Sequence, residues 1–201
     1  MKAPTDEQLL REYLAGESAS FELLVRRHAN ELHRFALRFT GDSVSADDVV
    51  QETFLQVHIG ANSFDPKRRF KPWLFTVAAN KARDHLRRGR RRRELSYESQ
   101  VGGDDEAGQS YIDLLYREED DPDEELLLEE KRRTVRAAVD QMPQKLREIL
   151  ILAYFHRFPY QDIAEIVGIP LGTVKSRLHA AVARFAAHYR SIVEEKNYGE
   201  H

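Results

Sequence analysis

The chain has no cysteine among its 201 residues, a single tryptophan and two methionines. Without cysteine there is no disulfide framework, no thiol nucleophile and no thiolate zinc site. Long apolar runs are also missing. The longest, Ile149 to Phe155, covers seven residues, far below the roughly 20 that a membrane-spanning helix needs. The N-terminal MKAPTDEQLL has no apolar stretch of signal-peptide length, so a cytoplasmic protein with no direct membrane insertion is expected. The eight histidines are scattered without metal-ligand spacing. Asp47 and Asp48 are adjacent on a helical segment and therefore diverge, and no nucleophile sits beside a base. Neither an enzyme nor a metal, a cofactor or a small-molecule substrate is expected.

Charge is plentiful, and it is segregated. The net charge of −3 hides four blocks of alternating sign: −5 over residues 1–65, +10 over 66–94, −13 over 95–130 and +5 over 131–201. Such blocks suggest polyanion-binding faces separated by an acidic segment.

Apolar residues recur with helical period almost throughout. Val50, Phe54 and Val57 form one stripe, and Phe75, Ala79, Ala82 and Leu86 another. Val135, Ala138, Val139 and Met142 form a third, and Val174, Leu178, Val182, Phe185 and Tyr189 a fourth. No alternating β-branched run and no hairpin turn signal appears, which predicts an all-α fold. Gly41-Asp42 ends one helix, Ser45 is the expected N-cap of the next, and Asp47 and Asp48 fall in its first turn. Residues 60–71 read as a loop, with Pro72 suited to open the following helix. Residues 95–125 are too acidic and glycine-rich to fold alone and read as a flexible linker. Two small helical domains, 1–94 and 126–201, are predicted on either side.

Residues 160–178, YQDIAEIVGIPLGTVKSRL, have the layout of a helix-turn-helix. Ile163, Ala164 and Val167 are expected to be buried, Gly168 to make the turn, and Val174 and Leu178 to face inward. Thr173, Lys175, Ser176, Arg177 and His179 then point outward, and these types bond phosphates and base edges in a major groove. The competing reading is an αα-hairpin with a solvated outer face.

Residues 70–88, FKPWLFTVAANKARDHLRR, lead into Arg90 to Arg93. Lys81, His85, Arg88 and Arg92 share one side of a helix, and Asn80 lies in line with Trp73 and Val77. A ring, an amide and several cations suit single-stranded or melted DNA. Taken alone, Trp73 reads as a core residue. In residues 45–57, Asp48, Gln51, Glu52 and Leu55 share the face opposite the apolar stripe. Acids, an amide and one leucine suit a basic protein partner, though composition alone favours an ordinary solvated face.

The segments SADDVVQETF, FKPWLFTVAANKARDHLRR and YQDIAEIVGIPLGTVKSRL, together with FELLVRRHANELHRFALRFTGD, resemble the extracytoplasmic-function (ECF) sigma factors. The resemblance spans roughly residues 7–94 and 126–190, in the family's order. It implies a protein that binds core RNA polymerase and directs initiation at promoter DNA by reading −35 and −10 elements. Asp48, Gln51, Glu52 and Phe54 would serve polymerase binding. Asn80 would contact a flipped-out −10 base beside a pocket formed by residues 60–69 and supported by Trp73, while Lys81, Arg83, Arg87 and Arg88 would hold phosphates. Thr173, Lys175, Ser176, Arg177 and His179 would engage the −35 duplex. An anti-sigma factor is a further expected partner. The sequence has Ala79 and Ala180 where the family often carries arginine. The alternative is a stand-alone helix-turn-helix repressor or activator, which would dimerise on a palindrome and leaves the +10 helix unexplained.

Overall fold

The computed structural model of the chain describes residues 3–97 and 122–199, with side chains over 3–91 and 130–194. Most of the expected linker, and the side chains of Arg92 and Arg93, lie outside the described residues. The regular structure within them is helical: α1 (Asp6–Leu14), α2 (Ser18–Thr40), α3 (Ser43–Gly60), α4 (Phe70–Tyr97), α5 (Pro122–Asp140), α6 (Gln144–Leu150), α7 (Tyr160–Val167) and α8 (Leu171–Gly199). The fold is all-α, in two compact units. The first carries α1–α4, and the second α5, α6, α8 and most of α7.

Capping explains where the helices of the first unit begin. Thr5 and Gln8 form a reciprocal capping box on α1. Gly41 closes α2 in the left-handed region at φ 92°, a conformation that glycine alone adopts without penalty. The cap of α3 is Asp42, whose Oδ1 accepts from the Ser45 amide at 2.7 Å. This differs from the expected Ser45 cap. The helix starts three residues earlier, which leaves Asp47 and Asp48 beyond its first turn. Likewise α4 opens at Phe70 rather than Pro72. The Phe70 amide donates to Glu7 Oε1 at 2.9 Å, so an acid of α1 satisfies the exposed donor and complements the helix dipole. Pro72 still sits in the first turn, where its missing N–H leaves no gap.

The core of this unit is built on α2, where Leu24, Leu32, Phe35, Ala36 and Phe39 are all within 1% of full burial. Phe75 of α4 meets Phe35 edge-on at 5.4 Å, and Leu74, Ala78, Ala79 and Ala82 extend the same face. The α3 stripe runs through Ala46, Val49, Thr53 and Val57, with Phe54 beside it and Val50 only half-buried. Thr53 tolerates burial because its hydroxyl donates to Val49 O at 2.6 Å. In the second unit Val139, Met142, Leu150 and Ala181 form a core flanked by Leu146 and Phe185. The α8 stripe passes through Ala181, and Val182 is exposed.

α1 is fastened to α2 through Asp6, which accepts from His28 Nε2 at 2.8 Å and from Arg27 Nη1. Burial raises the Asp6 pKa, but the hydrogen bonds from His28 and Arg27 outweigh it and hold the carboxyl below its ordinary value. A depressed folded pKa gives stability that is complete above the unfolded value and is lost as pH falls through the folded one. Asp6→Asn is expected to cost this unit about 1–2 kcal/mol at pH 7 and to flatten its acid-denaturation limb. Trp73 is the sole tryptophan and lies in this unit, so its fluorescence during unfolding at pH 7 and pH 3 checks both effects.

Candidate nucleic-acid interface

The outer face of α4 carries an amide among cations. Asn80 is exposed, Lys81 and Arg83 are half-exposed, and Arg87 and Arg88 are exposed. Arg83 lies along the helix, with Nε donating to Ala79 O at 3.1 Å and Nη2 to Asn80 Oδ1 at 2.7 Å. Arg87 pairs with Asp84 at 3.0 Å. Position 79 faces the bundle: Ala79 is fully buried. Trp73 packs against Phe64 and Phe70, with ring centroids 4.9 and 5.8 Å apart. The indole is half-buried, so it acts as a wall between α4 and the preceding loop rather than a free stacking surface. That loop contains a 3-10 turn, Ala61–Ser63.

α3 presents a second face. Asp48, Gln51 and Leu55 are exposed, and Phe54 is buried at 9% exposure. Phe54 therefore supports this face from beneath and does not itself present a contact surface. Val44 (75% exposed) and Ile59 (65%) extend the stripe on which Leu55 lies. Neither is expected from the sequence, although Val44 lies four residues before Asp48 and Ile59 four after Leu55, the spacing of one helix face. Glu52 turns toward α4, accepting from Arg88 Nη2 at 3.1 and 3.3 Å and lying 3.7 Å from Lys81 Nζ. It thus joins two surfaces that the sequence treats as separate. Ion pairs this open to solvent are worth little, so Lys81 and Arg88 can exchange Glu52 for a phosphate at low cost.

In the second unit the turn between α7 and α8 passes through Gly168 at φ 72°, with the Ile169 amide bonded to Ala164 O at 3.0 Å. Ile163 and Ile166 are buried, whereas Val167 is only half-buried. Val174 and Leu178 face inward, while Lys175, Ser176 and His179 are exposed and Thr173 and Arg177 half-exposed. The Ser176 hydroxyl donates to Thr173 O at 3.1 Å, which leaves its oxygen to accept. The five residues named from the sequence thus lie together along the start of α8. Ala180 is exposed beside them.

Two regions of the chain match known families: Sigma-70 region 2 over residues 24–92 and Sigma-70, region 4 over residues 132–185. The RNA polymerase sigma-H factor of Pseudomonas aeruginosa is 31% identical, over 88% of this chain and 89% of that protein. The ECF RNA polymerase sigma factor SigL of Mycobacterium tuberculosis is 36% identical, over 84% and 88%. Among solved structures, the sigma factor RpoE from Bartonella quintana, in complex with the anti-sigma factor NepR, superposes with a TM-score of 0.64. It has 25% identity and covers 85% of this chain and 96% of that one. CnrH, in complex with the cytosolic domain of CnrY, shares the fold at a TM-score of 0.66 and 24% identity, over 94% and 99%. With both regions matched in order and relatives aligned over nearly their whole length, the chain belongs to the ECF RNA polymerase sigma factors.

Proposed function

We propose that α3 docks on core RNA polymerase through Asp48, Gln51, Leu55, Val44 and Ile59, with Glu52 at its border and Phe54 beneath. α4 takes up the non-duplex −10 strand, with Asn80 reading a base and Lys81, Arg87 and Arg88 holding phosphates. α8 reads the −35 duplex through Thr173, Lys175, Ser176, Arg177 and His179. Residues 1–94 and 126–201 act as separate DNA-reading domains, and the acidic 95–125 segment spaces them. The observation that carries this reading is the division of labour within one small unit: an acidic and apolar face on α3 adjoins an amide and cation face on α4. A repressor needs only α7 and α8.

The work done is binding. Extruding a base costs a few kcal/mol, and phosphate neutralisation plus capture of the base offsets it. Bond formation in the transcript is left to the polymerase, and the protein acts in the cytoplasm where the polymerase is. Relatives whose structures hold NepR or the cytosolic domain of CnrY support an anti-sigma factor as a partner here too. The exposed α3 stripe is the surface such a partner would compete for.

Phosphate contacts weaken with salt in proportion to their number. Lys175→Ala with Arg177→Ala is expected to weaken holoenzyme binding to −35 duplex DNA and to lower the log-log salt slope by about 2. Asn80→Ala is expected to spare that duplex binding. An unchanged slope in the double variant would remove both side chains from the interface.

A further inference from the structure

The pairing of Arg83 with Asn80 fixes more than a position. A guanidinium has donors and no acceptor, so the amide atom it holds must be the oxygen. Arg83 Nη2 donates to Asn80 Oδ1 at 2.7 Å, while Nε of the same planar group donates to Ala79 O at 3.1 Å. Two bonds from one rigid fork tie the guanidinium to the helix backbone, and through it the Asn80 amide. The free end of the exposed Asn80 side chain is then Nδ2, which carries two donors. An unheld asparagine amide rotates readily about its broad, two-fold terminal torsion and presents either its oxygen or its nitrogen to a partner.

We propose that Arg83 is a positioning residue for promoter specificity: it locks the flip state of the Asn80 amide, so that the base read there must offer an acceptor opposite Nδ2. This rests on the reading of Asn80 as the base-contacting residue of α4. It changes the task of Arg83, which the family resemblance places among the phosphate anchors. Side chains with both donor and acceptor atoms owe their discrimination between bases to orientation. Freed from Arg83, Asn80 can accept from a base donor as well as give to a base acceptor, and its selectivity falls.

The test uses holoenzyme formed from the full-length chain and bacterial core polymerase, bound to fork-junction DNA randomised across the −10 single strand. Sequencing of bound against input DNA gives a base preference at every position. Asn80→Ala identifies the position that Asn80 reads, by loss of preference there. Arg83→Lys keeps the charge without the planar fork, and Arg83→Met removes both. Both are expected to reduce discrimination at that same position from about tenfold to about threefold or less, the worth of one well-made hydrogen bond. Preferences at neighbouring positions should be retained. A base analogue with C–H in place of the ring acceptor should penalise the unsubstituted chain and not Arg83→Met. Trp73 fluorescence confirms that each variant is folded.

If Asn80→Ala loses the preference while both Arg83 variants keep it, Arg83 has no positioning role. A phosphate anchor alone would give that result, with affinity lowered alike for every sequence. If Asn80→Ala itself keeps every preference, the reading of Asn80 fails and the proposal fails with it.

Discussion

Phe75→Ala is expected to remove about 3–5 kcal/mol from the stability of the α1–α4 unit. Phe75 is fully buried, and its ring meets Phe35 edge-on at 5.4 Å. Truncation deletes that aromatic contact and leaves a cavity between α2 and α4, whose other wall is alanine: Ala78, Ala79 and Ala82 are already as small as core residues can be. Small neighbours have little side chain with which to fill the space. Against a typical total of about 5–15 kcal/mol, the loss is a third or more. Urea unfolding followed by Trp73 fluorescence reports this unit by itself. A loss below about 1 kcal/mol would mean that the α2–α4 interface closes over the missing ring. Because α4 carries Asn80 and its cations, the variant should also lose −10 binding at temperatures where the unit has melted.

Leu55→Arg is expected to weaken binding to core polymerase by at least about thirtyfold, near 2 kcal/mol, with little change in stability. Leu55 is 59% exposed on the same stripe as Asp48 and Gln51. A cation there removes an apolar contact and at once places a positive charge on the face that carries Asp48. Phe54→Ala is the informative contrast. At 9% exposure, its loss should destabilise the unit and reduce polymerase binding only through that destabilisation. Equal polymerase affinity for Leu55→Arg and the unsubstituted chain would place the docking face elsewhere.

Helix content and the helix-turn-helix were legible because helical period and turn glycines are local signals. Errors arose where two local solutions compete. Of the expected positions 50, 54 and 57, Phe54 and Val57 are buried and Val50 is only half-buried. Ala46, Val49 and Thr53 complete the buried face, with the Thr53 hydroxyl satisfied by Val49 O. A threonine counted as polar hides that stripe. Alanine hides another, since Ala181 rather than Val182 completes the α8 core face. Asp42 and Ser45 both offer capping oxygens, and the carboxylate next to Gly41 captures the chain first. The start of α4 depends on Glu7, 63 residues away, which no spacing rule reaches. The site shows the same division. Which side chains face outward could be read from period, but the meeting of Glu52 with Lys81 and Arg88 depends on how α3 packs on α4. The hold of Arg83 on Asn80 is a choice of rotamer, on which spacing is silent.

The most direct measurement combines the purified full-length chain with bacterial core RNA polymerase and a library of genomic promoter fragments, followed by sequencing of run-off transcripts. The account predicts initiation at sites sharing a −35 and a −10 motif, absent with core alone and lost for both Leu55→Arg and Asn80→Ala. No association with core, together with tight binding of the chain alone to a palindromic duplex, would contradict it.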